Sequence, residues 1–111
     1  MEYRICNSKD LPNNSMKVVS IQGSKILVCR SNNQLFALDN SCPHRGASLS
    51  KSEIKETKII CYMHDFQYDL ITGKLISVPS KWNGQSPNWT KSDNLLLFPV
   101  SEKNGEIYVK I

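Results

Sequence analysis

Apolar residues in this chain come in short runs of period two, and turn residues cut every run after a few positions. Tyr3 and Ile5 alternate with Glu2 and Arg4. Residues 16–21 form an apolar stretch that ends at Gln22-Gly23-Ser24. Ile26, Leu27 and Val28 mark residues 25–30 as a buried strand, Ser31-Asn32-Asn33 is a further turn, and residues 35–38 resume the strand pattern. The first forty residues therefore read as a β-meander. Later strands are predicted at residues 58–62, 66–69, 74–78, 94–100 and 106–111. Thr72-Gly73 is a hairpin signal, and Asn104-Gly105 is a stronger one, because both residues tolerate positive φ. No dozen-residue stretch keeps the 3.6-residue helical period; only residues 50–57 suggest a helical turn. The fold class is all-β, a small sandwich or barrel of roughly eight to ten short strands.

Size and composition narrow the function. With 111 residues, the chain is expected to form one domain, residues 1–111. Its 40% hydrophobic and 22% charged content is that of a globular protein and argues against disorder. Apolar runs such as residues 95–98 fall far short of the roughly 20 residues that cross a bilayer as a helix. The net charge of +4 contains no basic run that would mark a nucleic-acid surface. The N-terminus shows no basic, apolar and small-residue succession, so a cytoplasmic protein is expected. There, its four cysteines would be ligands or free thiols rather than disulfides.

Both histidines stand beside a cysteine. Cys42-Pro43-His44 is a C-x-H and Cys61-Tyr62-Met63-His64 a C-x-x-H, with residues 45–60 between the pairs. Two thiolates and two imidazoles would suit one tetrahedral zinc. The C-x-H spacing is tighter than a zinc knuckle, however, and makes convergence of both side chains on one ion harder. It suits two adjacent metal ions better. A [2Fe-2S] cluster with two cysteines on one iron and two histidines on the other meets that geometry, each loop giving one ligand to each iron.

The segment Cys42-Pro43-His44-Arg45-Gly46-Ala47-Ser48-Leu49, then Cys61-Tyr62-Met63-His64, then Tyr68-Asp69-Leu70-Ile71-Thr72-Gly73, resembles the Rieske ferredoxin signature. Leu35-Phe36-Ala37-Leu38-Asp39 resembles the strand leading into the first ligand loop, and Phe98-Pro99-Val100 with Gly105-Glu106-Ile107-Tyr108-Val109 the closing hairpin. The resemblance implies the Rieske fold, a β-sandwich or barrel base with a cluster-binding subdomain of two ligand loops. The cluster-binding part would be residues 40–78, and residues 79–94 would cover it. One [2Fe-2S] cluster per chain is implied, with Cys42 and Cys61 on the buried iron and His44 and His64 on the outer iron, their imidazole edges at the surface. Gly46 and Gly73 would shape the loops, Gly46 letting backbone N–H groups approach the cluster.

Several positions depart from family patterns. Ala47 and Met63 stand where the Rieske proteins of respiratory and photosynthetic complexes have a clamping cysteine pair, so the chain resembles the soluble ferredoxin branch. Cys6 and Cys29 match no ligand position and read as strand thiols. Phe66 replaces the serine that donates to cluster sulfur in high-potential relatives, whereas Tyr68 supplies a hydroxyl where ferredoxins commonly have Phe. A potential toward the low end of the Rieske range, raised somewhat by Tyr68, is expected. Asp65 occupies a position that is often Gly, and its carboxylate would favour a protonated His64. Arg45, Lys51, Lys55 and Lys58 would place positive charge near the exit face, fitting a partner that presents carboxylates. Trp82 and Trp89 would shield the cluster or dock a partner.

The expected function is one-electron transfer from a reductase to a separate oxygenase or reductase, with no catalysis on this chain. The alternatives are the small subunit of an assimilatory nitrite reductase-like complex and, behind it, a structural zinc module. Protein redox partners are expected, and neither nucleic acid nor a membrane span. The mononuclear iron site of an oxygenase needs two further histidines, and none remains beyond His44 and His64.

Overall fold

A computed structural model describes residues 1–41, 48–61, 66–77 and 94–111. They hold eleven strands in three antiparallel sheets: β1 (Glu2–Asn7), β2 (Ser15–Ile21), β3 (Ser24–Ser31), β4 (Gln34–Asp39), β5 (Glu53–Lys55), β6 (Lys58–Ile60), β7 (Gln67–Asp69), β8 (Leu75–Ser77), β9 (Leu97–Phe98), β10 (Val100–Lys103) and β11 (Glu106–Lys110). The strand orders are β1-β11-β10, β2-β3-β4-β9 and β5-β6-β7-β8. The all-β expectation is borne out.

The turns carry the hairpins as their residues dictate. Gln22-Gly23, Asn32-Asn33 and Asn104-Gly105 all have both central residues at positive φ, between 51° and 82°. Such turns twist in the sense of the strands they join. They set the registers Ile21↔Ser24, Ser31↔Gln34 and Lys103↔Glu106.

The central sheet is a wall shared by two cores. Side chains alternate faces along a strand. On β3, Leu27 and Cys29 enter one apolar cluster, and Ile26 and Val28 enter the other. On β4, Phe36 and Leu38 join the first, and Ala37 the second. This explains the uninterrupted apolar run Ile26-Leu27-Val28-Cys29, all four fully buried. The second cluster packs the wall against β1 and β11 through Cys6, Ile107 and Val109. Arg30 reinforces that side: its Nε donates to the Leu11 carbonyl at 2.8 Å, and its Nη2 donates to Glu102 Oε2 at 2.9 Å. The first cluster packs the wall against β6 and β7 through Ile59, Cys61, Phe66 and Tyr68.

Two expectations are corrected. The strand predicted at 94–100 is two strands in two sheets, β9 against β4 and β10 against β11. Pro99 lies between them and has no N–H for a ladder, so the chain changes sheets there. Helical bonding near residues 50–57 is confined to a 3-10 turn at Leu49–Lys51, and Glu53–Lys55 is strand β5. A single turn saves little backbone polarity, whereas β5 gains a full register with β6.

Gly73 joins the β7–β8 hairpin to the chain entering β9. It has φ +79°, its N–H donates to the Asp69 carbonyl at 2.7 Å, and its carbonyl accepts from the Leu95 N–H at 2.6 Å. A Cβ there would stand 2.8 Å from the Leu95 carbonyl oxygen, whereas one on Gly105, φ +76°, would meet nothing within 4 Å. Gly73→Ala is therefore expected to cost about 2–4 kcal/mol, backbone strain plus a clash. Gly105→Ala should cost about 1–2 kcal/mol, strain alone. Denaturant unfolding of both variants checks this, and equal losses would contradict it.

Candidate metal centre

Two loops carry the expected ligands, and the described residues show how each is closed at its base. The second is the simpler. β6 and β7 pair with Ile60 opposite Gln67, and the Cys61 N–H then donates to the Phe66 carbonyl at 2.8 Å. That bond prolongs the ladder to the neck of the loop. Cys61 is only 2% exposed, and Phe66 and Tyr68 are fully buried in the same apolar cluster. Tyr68 faces Ile59 across the strand pair. A phenol this deeply buried brings a hydroxyl that requires a hydrogen-bond partner. His64 and Asp65 lie outside the described residues.

The first loop is closed differently. Ser41 and Ser48 form an isolated antiparallel bridge. Beneath it Asn40, 8% exposed, bonds in four directions. Its N–H donates to the Lys25 carbonyl at 3.0 Å, and its carbonyl accepts from the Leu49 N–H at 2.7 Å. Its Nδ2 donates to Ser48 Oγ at 2.9 Å, and its Oδ1 accepts from the Ser50 N–H at 3.0 Å. Asp39 adds a turn at the entry, its Oδ1 accepting from the Ser41 N–H at 2.8 Å. Leu49, fully buried in the first cluster, anchors the exit. Cys42, His44 and Gly46 lie outside the described residues, as do Arg45 and the segment with Trp82 and Trp89.

The described residues fit an iron–sulfur site. Cys61 offers a thiol in a dry apolar setting, at a neck fixed by a backbone hydrogen bond, as a buried iron requires. Among the described residues no group of three His, Cys, Asp or Glu side chains is placed to hold a metal ion. The other thiols are not rivals. Cys6 and Cys29 are free and buried in different clusters. Burial pushes the Cys29 thiol up to about 12, so it is not available as a thiolate at neutral pH. Lys51, Lys55 and Lys58 are exposed, and Glu53 and Glu56 are exposed among them.

Sequence comparison supplies what these residues alone do not. The sequence model for the Rieske [2Fe-2S] domain matches residues 1–106. The chain belongs to the Rieske [2Fe-2S] family. That membership brings a [2Fe-2S] cluster as its cofactor. One relative is the ferredoxin component of the naphthalene 1,2-dioxygenase/salicylate 5-hydroxylase systems of Ralstonia sp, 29% identical over 92% of this chain and 88% of that protein. Apoptosis-inducing factor 3 of Homo sapiens is 29% identical over 99% of this Rieske chain. The chain spans only 16% of that relative and 25% of the cholesterol 7-desaturase of Caenorhabditis elegans. Among solved structures, a complex of reduced oxygenase and oxidized ferredoxin in carbazole 1,9a-dioxygenase holds a similar chain, 28% identical, with TM-score 0.80 over 97% of this chain and 91% of that one.

Residue patterning pointed to the Rieske family but missed the residues that close the first loop, Asn40, Ser48 and Ser50. The only hint was their polarity at the flanks of an apolar strand and a buried Leu.

The Cys29 thiol has a consequence for pH. Its ordinary value is 9.0, and the folded state keeps the proton up to about 12. Between these values the native form binds more protons than the unfolded form. The stabilisation is thus complete below the ordinary value and is lost as pH rises toward the folded one. Denaturant unfolding of wild type and Cys29→Val at about pH 8 and about pH 10.5 should show wild type losing more stability. Parallel losses would contradict the assignment.

Proposed function

We propose that this Rieske protein is a one-electron carrier between a reductase and a separate oxygenase, with Cys42 and Cys61 as ligands of the buried iron and His44 and His64 as ligands of the outer iron. The observation that carries the reading is the pair of loops, each carrying one cysteine and one histidine, each closed at its neck. Relatives of nearly the same length support the partner class. These are the ferredoxin component from Ralstonia sp and the 3-phenylpropionate/cinnamic acid dioxygenase ferredoxin subunit of Photorhabdus laumondii, of which this chain covers 91%. Residues 40–78 then form the cluster-binding part and 79–94 its cover.

The bound cluster supplies a ferric–ferrous couple that takes up and releases one electron. The chain's residues do the rest. Phe66, Leu49, Ile59 and Leu38 exclude water from beneath the site. The Phe66 side chain has no donor for a cluster sulfur, and the Tyr68 hydroxyl is the donor in our reading. In this reading His44 and His64 would present their outer edges to the partner, and Asp65 would set the charge beside His64. Within these 111 residues no histidine is left for a substrate-activating iron, so the chain itself is no enzyme. Among the described residues no helix is long and apolar enough to cross a membrane. Free thiols at Cys6 and Cys29 favour the cytoplasm.

Dithionite titration of the purified protein tests this reading. Uptake of one electron per chain, with one unpaired spin, is expected; a colourless protein that takes up none would overturn it. Tyr68→Phe is expected to lower the potential by roughly 40 mV, the one-electron equivalent of a hydrogen bond of about 1 kcal/mol. An unchanged potential removes Tyr68 from the account.

A further inference from the structure

The two necks are closed by different means. The second loop lies within a continuous hairpin and is held by the Cys61–Phe66 backbone bond. Among the described residues the first has the single Ser41↔Ser48 bridge and the Leu49 N–H to Asn40 carbonyl bond at 2.7 Å, with no strand pair continuing beneath them. There the side chain of Asn40 replaces a ladder. One amide reads both functions of the returning chain, donating to the Ser48 hydroxyl and accepting from the Ser50 N–H. Ser48 Oγ lies 2.8 Å from Ser50 Oγ, which ties the same three residues together. The backbone of Asn40 is meanwhile fixed to Lys25 on β3.

We propose that Asn40 is a positioning residue that sets how tightly the first ligand loop holds its metal, an inference that rests on the reading of Cys42 and His44 as ligands. Cys42 lies two residues beyond Asn40, and the loop returns at Ser48. Every motion that parts the loop's two ends must break the Asn40 amide bonds. Asn40, Ser41 and Ser48 also line a polar groove of about 500 Å³ with Lys25 and Asp39. The groove is wide enough to admit water, which would replace the amide once it is removed, so the neck would open more often and the ligands leave more readily. No apolar residue of this size substitutes, because the Ser50 N–H loses its acceptor and Ser48 Oγ loses one of its two partners, keeping only Ser50 Oγ. Asp does substitute in part: its carboxylate accepts from the Ser50 N–H, and the Ser48 hydroxyl rotates to donate.

The test is the rate at which the purified cluster-loaded protein loses iron to excess bathophenanthroline. Asn40→Leu is expected to release iron about tenfold faster or more, the effect of two lost hydrogen bonds. Ser48→Ala, a milder change that keeps the fold if the first does not, should release it roughly threefold faster. Asn40→Asp should stay within about twofold of wild type, because both neighbours keep a partner. Arg30→Met is the control for general weakening. Arg30 sits about 17 Å along β3 from Lys25 at 3.4 Å per residue, and this variant should lower the unfolding midpoint without hastening iron loss. Wild-type release rates in both Asn40→Leu and Ser48→Ala, or equal acceleration by Arg30→Met, would overturn the positioning role while leaving the carrier function intact. A wild-type protein with no iron–sulfur cluster would instead overturn the ligand reading and this inference with it.

Discussion

One apolar cluster does the joining on which the metal site depends. Leu27, Cys29, Phe36 and Leu38 come from the central wall, Leu49 from the exit of the first loop, and Ile59, Cys61, Phe66 and Tyr68 from the hairpin of the second. Each of the Leu, Ile and Phe side chains among them contributes about 1.5–3 kcal/mol when fully buried, an upper estimate per residue. The energy matters less here than the connectivity. Both loop necks grow from this one packed body, and packed interiors resist small displacements. An electron carrier needs its metal ligands to keep nearly the same places in both oxidation states, and a common core beneath both loops meets that need.

The second cluster, on the other face of the wall, gives the protein its independence from the site. β1, β10 and β11 close over Ile26, Val28 and Ala37, and Arg30 ties β3 to Leu11 and Glu102. The wall is thus fixed from behind and presents a rigid face in front. Gly73 and Leu95 join the hairpin of the second loop to the chain entering β9, and the Asp39 N–H donates to the Leu96 carbonyl at 2.9 Å. The segment that follows residue 93 is therefore pinned both to the hairpin and to the strand that starts the first loop.

How much of this was legible depended on the range of the interactions. Local chemistry was plain: Asn104-Gly105 and Asn32-Asn33 name their turns, and the run Ile26-Leu27-Val28-Cys29 names a strand buried on both faces. The paired Cys and His motifs named their family. Pro99 should have signalled the break between β9 and β10, since it cannot donate within a ladder; the apolar residues on both sides concealed it. Asn40 was not legible, because its partners are fixed only when Lys25, Ser48 and Ser50 meet in three dimensions. The tight approach of Gly73 to Leu95 was hidden for the same reason: a glycine in a turn announces its φ, and not what lies against it.

The central claim is that two histidines and two cysteines hold one cluster. The most direct measurement is pulsed EPR on the reduced protein grown with ¹⁵N-labelled histidine. The account predicts nitrogen couplings from two histidine ligands, one of them lost in His44→Cys and the other in His64→Cys. A reduced cluster with no histidine coupling, or a protein with one zinc and no spin signal, would contradict it.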